Sequence, residues 1–300
     1  MASSSPQTLQ GSLMLLVTAV IWGCAFVAQS VAMDFVGPFT FCAARFLLSG
    51  LALLAVLLIR GRLSPGASFR AMNGRARARF RSGITGGMVC GLFLFLGSGL
   101  QQVGIQYTTA GKAGFLTALY IILVPVYSIL FFGKKPKGTV AAAALIALFG
   151  MYLLCMEGEF RLSKGDMFCL FCAFAFPFQI LAVEHFVQET DPLLLSCVQY
   201  FTVFFIAGTL ALLLETPDLS ALGAVTVPVL YAGLLSGAVA YTLQMIGQQK
   251  IQNPTAASLI MSLESVFAAL AGWVLLNQAL SPRKILGCVI MFAAIILAQL

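Results

Sequence analysis

The chain has 300 residues, of which 60% are hydrophobic and only 9% are charged. An ordinary soluble domain carries about 25% charged residues, so this composition excludes a water-soluble fold and indicates an integral membrane protein in a lipid bilayer. The net charge of +7 does not indicate a nucleic-acid partner. The basic residues are concentrated between apolar runs, where they bear on membrane topology.

Apolar runs separated by polar or proline-containing breaks predict ten helices. Most breaks place a proline at or just before the next helix start, where its missing N–H costs no hydrogen bond. Since about 20 apolar residues suffice to cross a bilayer, the sequence predicts an all-α fold with ten transmembrane helices. They are expected at residues 11–32, 39–59, 82–104, 108–132, 138–156, 165–186, 193–214, 225–248, 254–276 and 282–299.

The distribution of basic residues predicts the orientation of these helices. One side of the predicted membrane carries Arg60, Arg62, Arg70, Arg75, Arg77, Arg79, Arg81, Lys134, Lys135, Lys137 and Lys250, and the other carries Arg161, Lys164, Arg283 and Lys284. Basic loops stay on the cytoplasmic side, so both termini are expected in the cytoplasm. The first ten residues carry no Lys or Arg, so we expect the first helix to be kept as a span.

The two halves of the chain repeat each other, at an offset of 154 residues over the first two helices and of 143 or 144 later. Each half has five predicted helices, so the second half enters the membrane from the opposite side. Such inverted repeats build the two half-cavities that alternating access requires. Aligned pairs are Gly11 and Gly165, Pro38 and Pro192, Gln101 and Gln244, and Tyr120 and Glu264.

This repeat predicts the domain organisation. The first five-helix repeat is expected at residues 11–156, an extracytoplasmic linker at 157–164, and the second repeat at 165–299, all within one membrane domain.

Charged residues inside predicted helices are the strongest candidates for a binding or transport site, because each costs at least about 2.5–3.5 kcal/mol at the centre of a span. Glu264 lies close to the middle of its helix, whereas Arg45 and Lys112 lie nearer the outer end of theirs. The two cations could instead extend their charged ends towards the membrane surface. Glu264 is too deep and too short for that, so it must be protonated, paired or hydrated.

Several uncharged residues complete the candidate set. Gln101, Gln244 and Tyr120 can bond a polar ligand, and the ring of Trp22 can stack on a ligand or pack within the fold. Other residues are expected to have structural roles: Gly83, Gly87 and Gly91 permit close helix packing or sliding, and Pro125 and Pro177 kink their helices or free carbonyls for a ligand.

A catalytic or metal site is not indicated. Cys169 and Cys172 form a C-x-x-C pair within a predicted helix, but no second Cys or His pair completes a zinc set. An enzyme would need a nucleophile with a base, a metal set or paired carboxylates, and none of these is visible. We therefore expect no cofactor, no metal and no catalytic residues.

The sequence resembles the drug/metabolite transporter superfamily and, within it, the EamA family of ten-helix carriers. The resemblance covers nearly the whole chain. This sequence differs from many members of the family at Ser265, where a proline is common. The ninth predicted helix is therefore expected to kink less. The motifs that carry it are IWGCAF at Ile21–Phe26, GPFTFCAARF at Gly37–Phe46, QQVGIQYTTAGKAGFLTALYIILVP at Gln101–Pro125 and SLESVFAALAGWVLL at Ser262–Leu276.

This resemblance implies a secondary transporter in the plasma or inner membrane that exports small metabolites such as amino acids. A multidrug or other metabolite carrier is the alternative, and a membrane enzyme or a scaffold is less favoured. The resemblance also implies that the first, third, fourth, sixth, eighth and ninth helices line a central cavity, with the fifth and tenth outside. A contact between the tenth helices of two copies would make a homodimer.

The role of Glu264 has three alternatives at this stage. Burial disfavours a charged carboxylate, which would let Glu264 bind and release a proton and so couple transport to protons. A neighbouring Arg45 or Lys112 would instead hold it ionised in a structural pair. In the third alternative it only packs as a polar group.

Overall fold

Fourteen α-helices and one π-helical segment form the fold over the residues that the structure describes. The structure is a computed structural model and describes residues 6–60, 74–108, 110–133, 135–155, 163–217, 219–276 and 280–299. The α-helices are α1 (Pro6–Ala32), α2 (Pro38–Ile59), α3 (Gly74–Tyr107), α4 (Ala110–Ala118), α5 (Tyr120–Phe132), α6 (Gly138–Cys155), α7 (Lys164–Phe186), α8 (Pro192–Leu214), α9 (Leu219–Ala224), α10 (Thr226–Leu230), α11 (Thr242–Ile251), α12 (Pro254–Met261), α13 (Glu264–Leu276) and α14 (Pro282–Gln299); the π-helical segment is Tyr231–Tyr241.

Eight stretches of the described chain are long and apolar enough to cross a membrane, and Gly138–Leu154 forms a shorter apolar helix. The prediction of an all-α membrane fold is therefore confirmed. The eight stretches are Pro6–Ala32, Pro38–Ile59, Gly74–Tyr107, Ala113–Phe132, Lys164–Phe186, Pro192–Leu214, Thr226–Ile251 and Pro254–Leu275.

Prolines and caps set the helix starts much as the sequence predicts. Helices α2, α8 and α12 each begin on a proline. Before α8, the Asp191 carboxylate accepts a hydrogen bond of 2.9 Å from the backbone N–H of Leu193, and before α12 the Asn253 side chain accepts one of 3.1 Å from that of Ala256. These side chains satisfy N–H groups that have no partner inside the helix.

Helix α3 is longer than predicted. The prediction began it at residue 82 and assigned the arginines before it to a loop, whereas the helix begins at Gly74. Arg and Ala are strong helix formers, so the segment Arg75–Arg81 continues the helix outwards. The 34 residues of α3 span about 51 Å, well beyond the roughly 30 Å of a hydrocarbon core.

Two of the predicted helices are interrupted at positions that the sequence repeat makes equivalent. The helix predicted at 108–132 is divided at Leu119 into α4 and α5, and the helix predicted at 254–276 is divided at Ser262-Leu263 into α12 and α13. The second break occurs although no proline is present there. Ser262 Oγ instead donates a hydrogen bond of 2.7 Å to Leu259 O, and such side-chain bonds compete with the helical ladder.

The helix predicted at 225–248 is also not a plain α-helix. It comprises α10, the π-helical segment and α11, and the short helix α9 precedes it. In the π-helical segment the backbone bonds join residues five apart rather than four. The hydrophobic periodicity of the sequence does not predict this change from α-helical to π-helical hydrogen bonding.

Glycines allow two equivalent helix crossings. A side chain at Gly11 in α1 would lie 2.9 Å from Gly247 O in α11, and one at Gly165 in α7 would lie 2.6 Å from Gly104 O in α3. In the aligned repeats Gly11 corresponds to Gly165, and Gly104 to Gly247. The first helix of each half thus packs backbone to backbone on the third helix of the other half.

The glycine stripe of α3 packs against α8. A methyl group at Gly87 would lie 2.5 Å from the Val198 side chain, and one at Gly91 would lie 2.8 Å from Gln199 O. A methyl group at Gly83 would lie 2.6 Å from Thr190 Oγ1 in the link before α8. The stripe therefore lies in close contact with α8 and the link before it. Pro125 and Pro177 are buried inside α5 and α7, and both helices continue through them.

Candidate functional site

A cavity of about 40 Å³ lies at the centre of the fold, where the interrupted helices and the π-helical segment meet. Six of the seven candidate residues from the sequence line it together: Trp22, Arg45, Gln101, Tyr120, Gln244 and Glu264. The side chain of the seventh, Lys112, lies outside the described part of the structure.

Further residues line the cavity that the sequence analysis did not identify. Besides the six candidates, the helices contribute Phe26, Gln29, Thr117, Phe176, Gln179, Ile180, Ser236, Tyr241 and Met261. Helices α6 and α14 provide none of the described lining residues, in agreement with the expectation for the fifth and tenth predicted helices. Helix α2, which the resemblance did not place at the cavity, contributes Arg45.

Much of the lining follows the sequence repeat. Trp22 and Phe176 are aligned at an offset of 154, Gln101 and Gln244 at 143, and Thr117 and Met261 at 144. Both halves therefore supply lining residues of one cavity. This offset is the signal that could have identified Phe176 from the sequence, because its aligned partner Trp22 was already a candidate.

Tyr120 and Glu264, a further aligned pair, are in direct contact. The Tyr120 hydroxyl donates a hydrogen bond of 3.3 Å to Glu264 Oε1. Each residue is the first of its half-helix, Tyr120 of α5 and Glu264 of α13. Glu264 is only 5% exposed, and its position in the first turn of α13 places a carboxylate at the favourable end of the helix dipole.

Arg45 carries a buried positive charge at the cavity wall. It is 5% exposed; Nη1 donates a hydrogen bond of 3.0 Å to Gln29 Oε1, Nη2 lies 3.7 Å from Cys42 Sγ, and the buried Nε has no hydrogen-bond partner. The guanidinium also lies 4.7 Å from the centre of the Phe46 ring, which attracts cations. Among the described residues no acidic side chain pairs with Arg45.

Three buried glutamines form a hydrogen-bonded chain that begins at the cavity. Gln244 Nε2 donates a hydrogen bond of 3.3 Å to Gln179 Oε1, and Gln179 Nε2 donates one of 3.2 Å to Gln199 Oε1. Separately, Gln101 Nε2 donates one of 3.2 Å to Thr117 Oγ1. These amides offer both donors and acceptors to a polar ligand.

Trp22 has both a packing and a lining role. Its indole N–H donates a hydrogen bond of 3.2 Å to Ser236 O, and its ring centre lies 4.6 Å from that of Tyr241. The ring of Tyr241 in turn lies 6.2 Å from that of Tyr200. The aromatic residues thus make one side of the cavity apolar and rigid.

Wider recesses open at the end of α7 and at the end of α8. The recess at the end of α7 measures about 360 Å³ and is lined among others by Glu184, His185 and Gln252. The recess at the end of α8 measures about 570 Å³ and is lined among others by Gly37 and Glu215. Ligand pockets usually measure about 300–1,000 Å³, so the central cavity between them is much smaller than a metabolite needs.

Glu215, which follows α8, binds the start of α2 through its carboxylate. Its two carboxylate oxygens accept hydrogen bonds of 2.8 Å from the backbone N–H groups of Phe39 and Thr40, and Oε2 accepts one of 2.6 Å from Thr40 Oγ1. Glu215 therefore caps the start of α2, and Gly37 leaves room for its carboxylate.

Several known proteins are similar to this chain in sequence. An uncharacterized transporter of Archaeoglobus fulgidus is 30% identical over 292 residues, which cover 97% of this chain and 86% of that protein. The uncharacterized transporter YrdR of Bacillus subtilis is 28% identical over 74% of this chain and 67% of its own length. A chloroplastic WAT1-related protein of Arabidopsis thaliana is 24% identical over 93% of this chain and 66% of its own length.

A solved crystal structure shares the fold, with a TM-score of 0.75 at 18% identity over 99% of this chain and 97% of that one. The family model of the EamA-like transporters matches residues 9–156 and, a second time, residues 163–300. The chain is therefore a multi-pass membrane protein of the EamA-like transporter family, built from two copies of the family's repeat.

Proposed function

We propose that the protein is a secondary transporter that moves small carboxylate-bearing metabolites, such as amino acids, out of the cell by alternating access. The observation that carries the proposal is Arg45, a buried guanidinium at the wall of the central cavity with no acidic partner among the described residues. A ligand carboxylate would satisfy this charge with strong hydrogen bonds. The amides of Gln101 and Gln244 would bond the ligand's other polar groups.

The proposed architecture is ten spans in two inverted repeats, at residues 11–156 and 165–299. Two observations support it: the aligned glycine pairs cross in the same way, and the two interrupted helices break at aligned positions. Interrupted helices that meet near the middle of the membrane are typical of transporter sites. The small cavity between two wider recesses fits a state in which the walls must separate to admit substrate.

We further propose that Glu264 couples transport to protons. Its carboxyl has the Tyr120 hydroxyl as its hydrogen-bond partner, and Arg45 is bonded to Gln29 instead of pairing with it. Among described side chains, nothing therefore holds Glu264 ionised as a member of an ion pair. A buried acid of this kind can bind a proton when the cavity is open to one side and release it to the other.

The proposed location is the plasma or inner membrane, with both termini in the cytoplasm, as the arginine-rich start of α3 favours. A second candidate function is a multidrug carrier, which the apolar wall around Trp22 and Tyr241 favours. We also propose a homodimer that forms through the tenth predicted helix.

The test is transport by the purified chain in proteoliposomes. A panel of labelled amino acids, dipeptides and cationic drugs is offered, preceded by a growth-rescue screen against toxic members of the same classes. Uptake or exchange of a carboxylate-bearing compound supports the proposal. Exclusive transport of cationic drugs would favour the second candidate, and conversion of a compound without transport would indicate an enzyme.

A further inference from the structure

The π-helical segment is a difference between the two halves of the fold. Its counterpart in the first half, residues 88–98 at the offset of 143, lies within the continuous α-helix α3. Long π-helical stretches are rare, and shorter ones often occur at functional sites. Something specific to the second half must therefore hold residues 231–241 in this register.

Four side chains from three neighbouring helices reach backbone carbonyls of the segment. Trp22 Nε1 donates to Ser236 O at 3.2 Å, and the Tyr200 hydroxyl donates to Gly237 O at 2.9 Å. Ser49 Oγ lies 2.7 Å from Gly233 O, and Thr18 Oγ1 lies 3.1 Å from Ala240 O. Each of these two hydroxyls also lies near a carbonyl of its own helix, so its single proton is shared between two acceptors.

The aligned positions in the other half do not offer these donors. At the offset of 154, Trp22 corresponds to Phe176, Ser49 to Val203, Tyr200 to Phe46 and Thr18 to Cys172. Phenylalanine and valine cannot donate a hydrogen bond, and a cysteine thiol is a weak donor. The sequence therefore provides bonds to these carbonyls beside the π-helical segment and does not provide them beside α3.

The π register decides which side chains reach the cavity. Ser236 and Tyr241 both line it and are five residues apart. In an α-helix, at 3.6 residues per turn, residues five apart point about 140° away from each other. A π-helix joins residues five apart on the same turn, so it places both on one face.

We propose that Tyr200, together with Ser49 and Thr18, acts as a set of positioning residues that holds residues 231–241 in the π register, so that Ser236 and Tyr241 both face the substrate. This rests on the proposed function in one respect, namely that the central cavity is the substrate site. None of the three is among the described lining residues of the cavity, so they act through the segment.

Trp22 reports this register without any transported substrate. The chain contains two tryptophans, and the other, Trp273, is 52% exposed. In a Trp273→Phe background the emission of Trp22 senses its bond to Ser236 O and its contact with Tyr241. We expect the variant Thr18→Val, Ser49→Ala, Tyr200→Phe to shift the Trp22 emission maximum, and Tyr200→Phe alone to give a smaller shift in the same direction. The matched control Tyr152→Phe, which removes a phenol hydroxyl from α6, is expected to leave the emission unchanged.

Thiol labelling tests the register more directly. Single cysteines are placed at positions 236 and 241 in a background without the native cysteines, with and without the three positioning residues, and are labelled with a small membrane-permeant reagent. Both positions are buried, so their relative rates carry the information. With the three residues the positions share one face and we expect similar rates; without them the positions turn about 140° apart and the two rates should differ.

An unchanged Trp22 emission in the folded triple variant would overturn the inference, as would an unchanged labelling pattern. If the triple variant does not fold, an unchanged emission in Tyr200→Phe would overturn it equally. Neither readout needs transport, so these results would leave the proposed function standing. Failure of every transport assay would not affect them.

Discussion

Tyr120 and Glu264 occupy equivalent positions in the two halves of the chain and share a hydrogen bond of 3.3 Å between the tyrosine hydroxyl and Glu264 Oε1. Each begins a half-helix at the point where a longer predicted helix is interrupted. The repeat therefore places a neutral hydroxyl against an ionisable acid at the centre of the fold. In the proposed mechanism, Glu264 is the one proton-binding group of a cavity that both halves build.

The first prediction concerns Glu264→Gln. This change keeps the size of the side chain and its ability to accept from Tyr120, but it removes the proton-binding site. We expect loss of proton-driven accumulation while substrate exchange across the membrane is retained. Flux and internal pH in proteoliposomes measure both, and Tyr120→Phe serves as the partner control that removes the hydrogen bond and keeps the acid. A normal proton-driven gradient in Glu264→Gln would remove this residue from the coupling mechanism.

The second prediction concerns the close contact between α1 and α13. A methyl group at Gly23 would lie 2.5 Å from Phe267 Cβ and 2.7 Å from both Ala268 N and Glu264 O. Since backbone atoms cannot move aside cheaply, we expect Gly23→Ala to destabilise the protein by about 1–3 kcal/mol. Thermal unfolding in detergent measures the change.

The matched control for that substitution is Gly208→Ala in α8, where the nearest atoms lie 3.9 Å from the added methyl group. Alanine is the better helix former by about 1 kcal/mol, so this variant should unfold at an equal or higher temperature. Equal melting temperatures for Gly23→Ala and the parent would show that α1 and α13 do not pack as described.

The candidate site was largely predictable, because buried charge is rare in a membrane and because the repeat marks equivalent positions. Arg45, Glu264, Tyr120 and the aligned pair Gln101 and Gln244 were identified on these grounds, and all five line the cavity. The starts of α2, α8 and α12 were predictable from proline for a similarly local reason.

Other parts of the site depend on contacts between residues distant in sequence. Ser236 and Tyr241 reach the cavity through the π register, which side chains from other helices support. The sequence does not distinguish Gln179 from other polar residues of apolar helices, because its place at the site depends on its hydrogen bond with Gln244. The helical start of α3 was missed because its arginines were interpreted only as a topological signal.

The third prediction concerns the cap of α2. In Glu215→Ala the N–H groups of Phe39 and Thr40 lose their acceptor, and loss of a helix cap typically costs about 0.5–2 kcal/mol. We expect a lower melting temperature for this variant. Asp34→Ala, which removes an exposed acid just before α2, should change stability by less than about 0.5 kcal/mol. If the two variants melt alike, Glu215 does not hold α2 and α8 together.

The fourth prediction is topological. Gln188 follows α7 and Thr216 follows α8, and both are exposed. Because α8 is long and apolar enough to cross the membrane between them, we expect an impermeant reagent to label single cysteines at the two positions from opposite sides. The positive-inside rule places position 188 in the cytoplasm. Labelling of both from the same side would contradict the ten-span architecture.

The central claim is that the cavity binds a carboxylate at Arg45, and discrimination between an acid and its amide tests it most directly. Exchange in proteoliposomes is measured for a transported amino acid and for the corresponding amino-acid amide, in which a neutral amide replaces the carboxylate. Both are tested in the parent, in Arg45→Lys and in Arg45→Gln. A charge-assisted hydrogen bond contributes about 1.5–3 kcal/mol, so the parent should prefer the acid at least about tenfold, Arg45→Lys should keep part of that preference, and Arg45→Gln should lose it. An undiminished preference for the acid in Arg45→Gln would show that the carboxylate binds elsewhere.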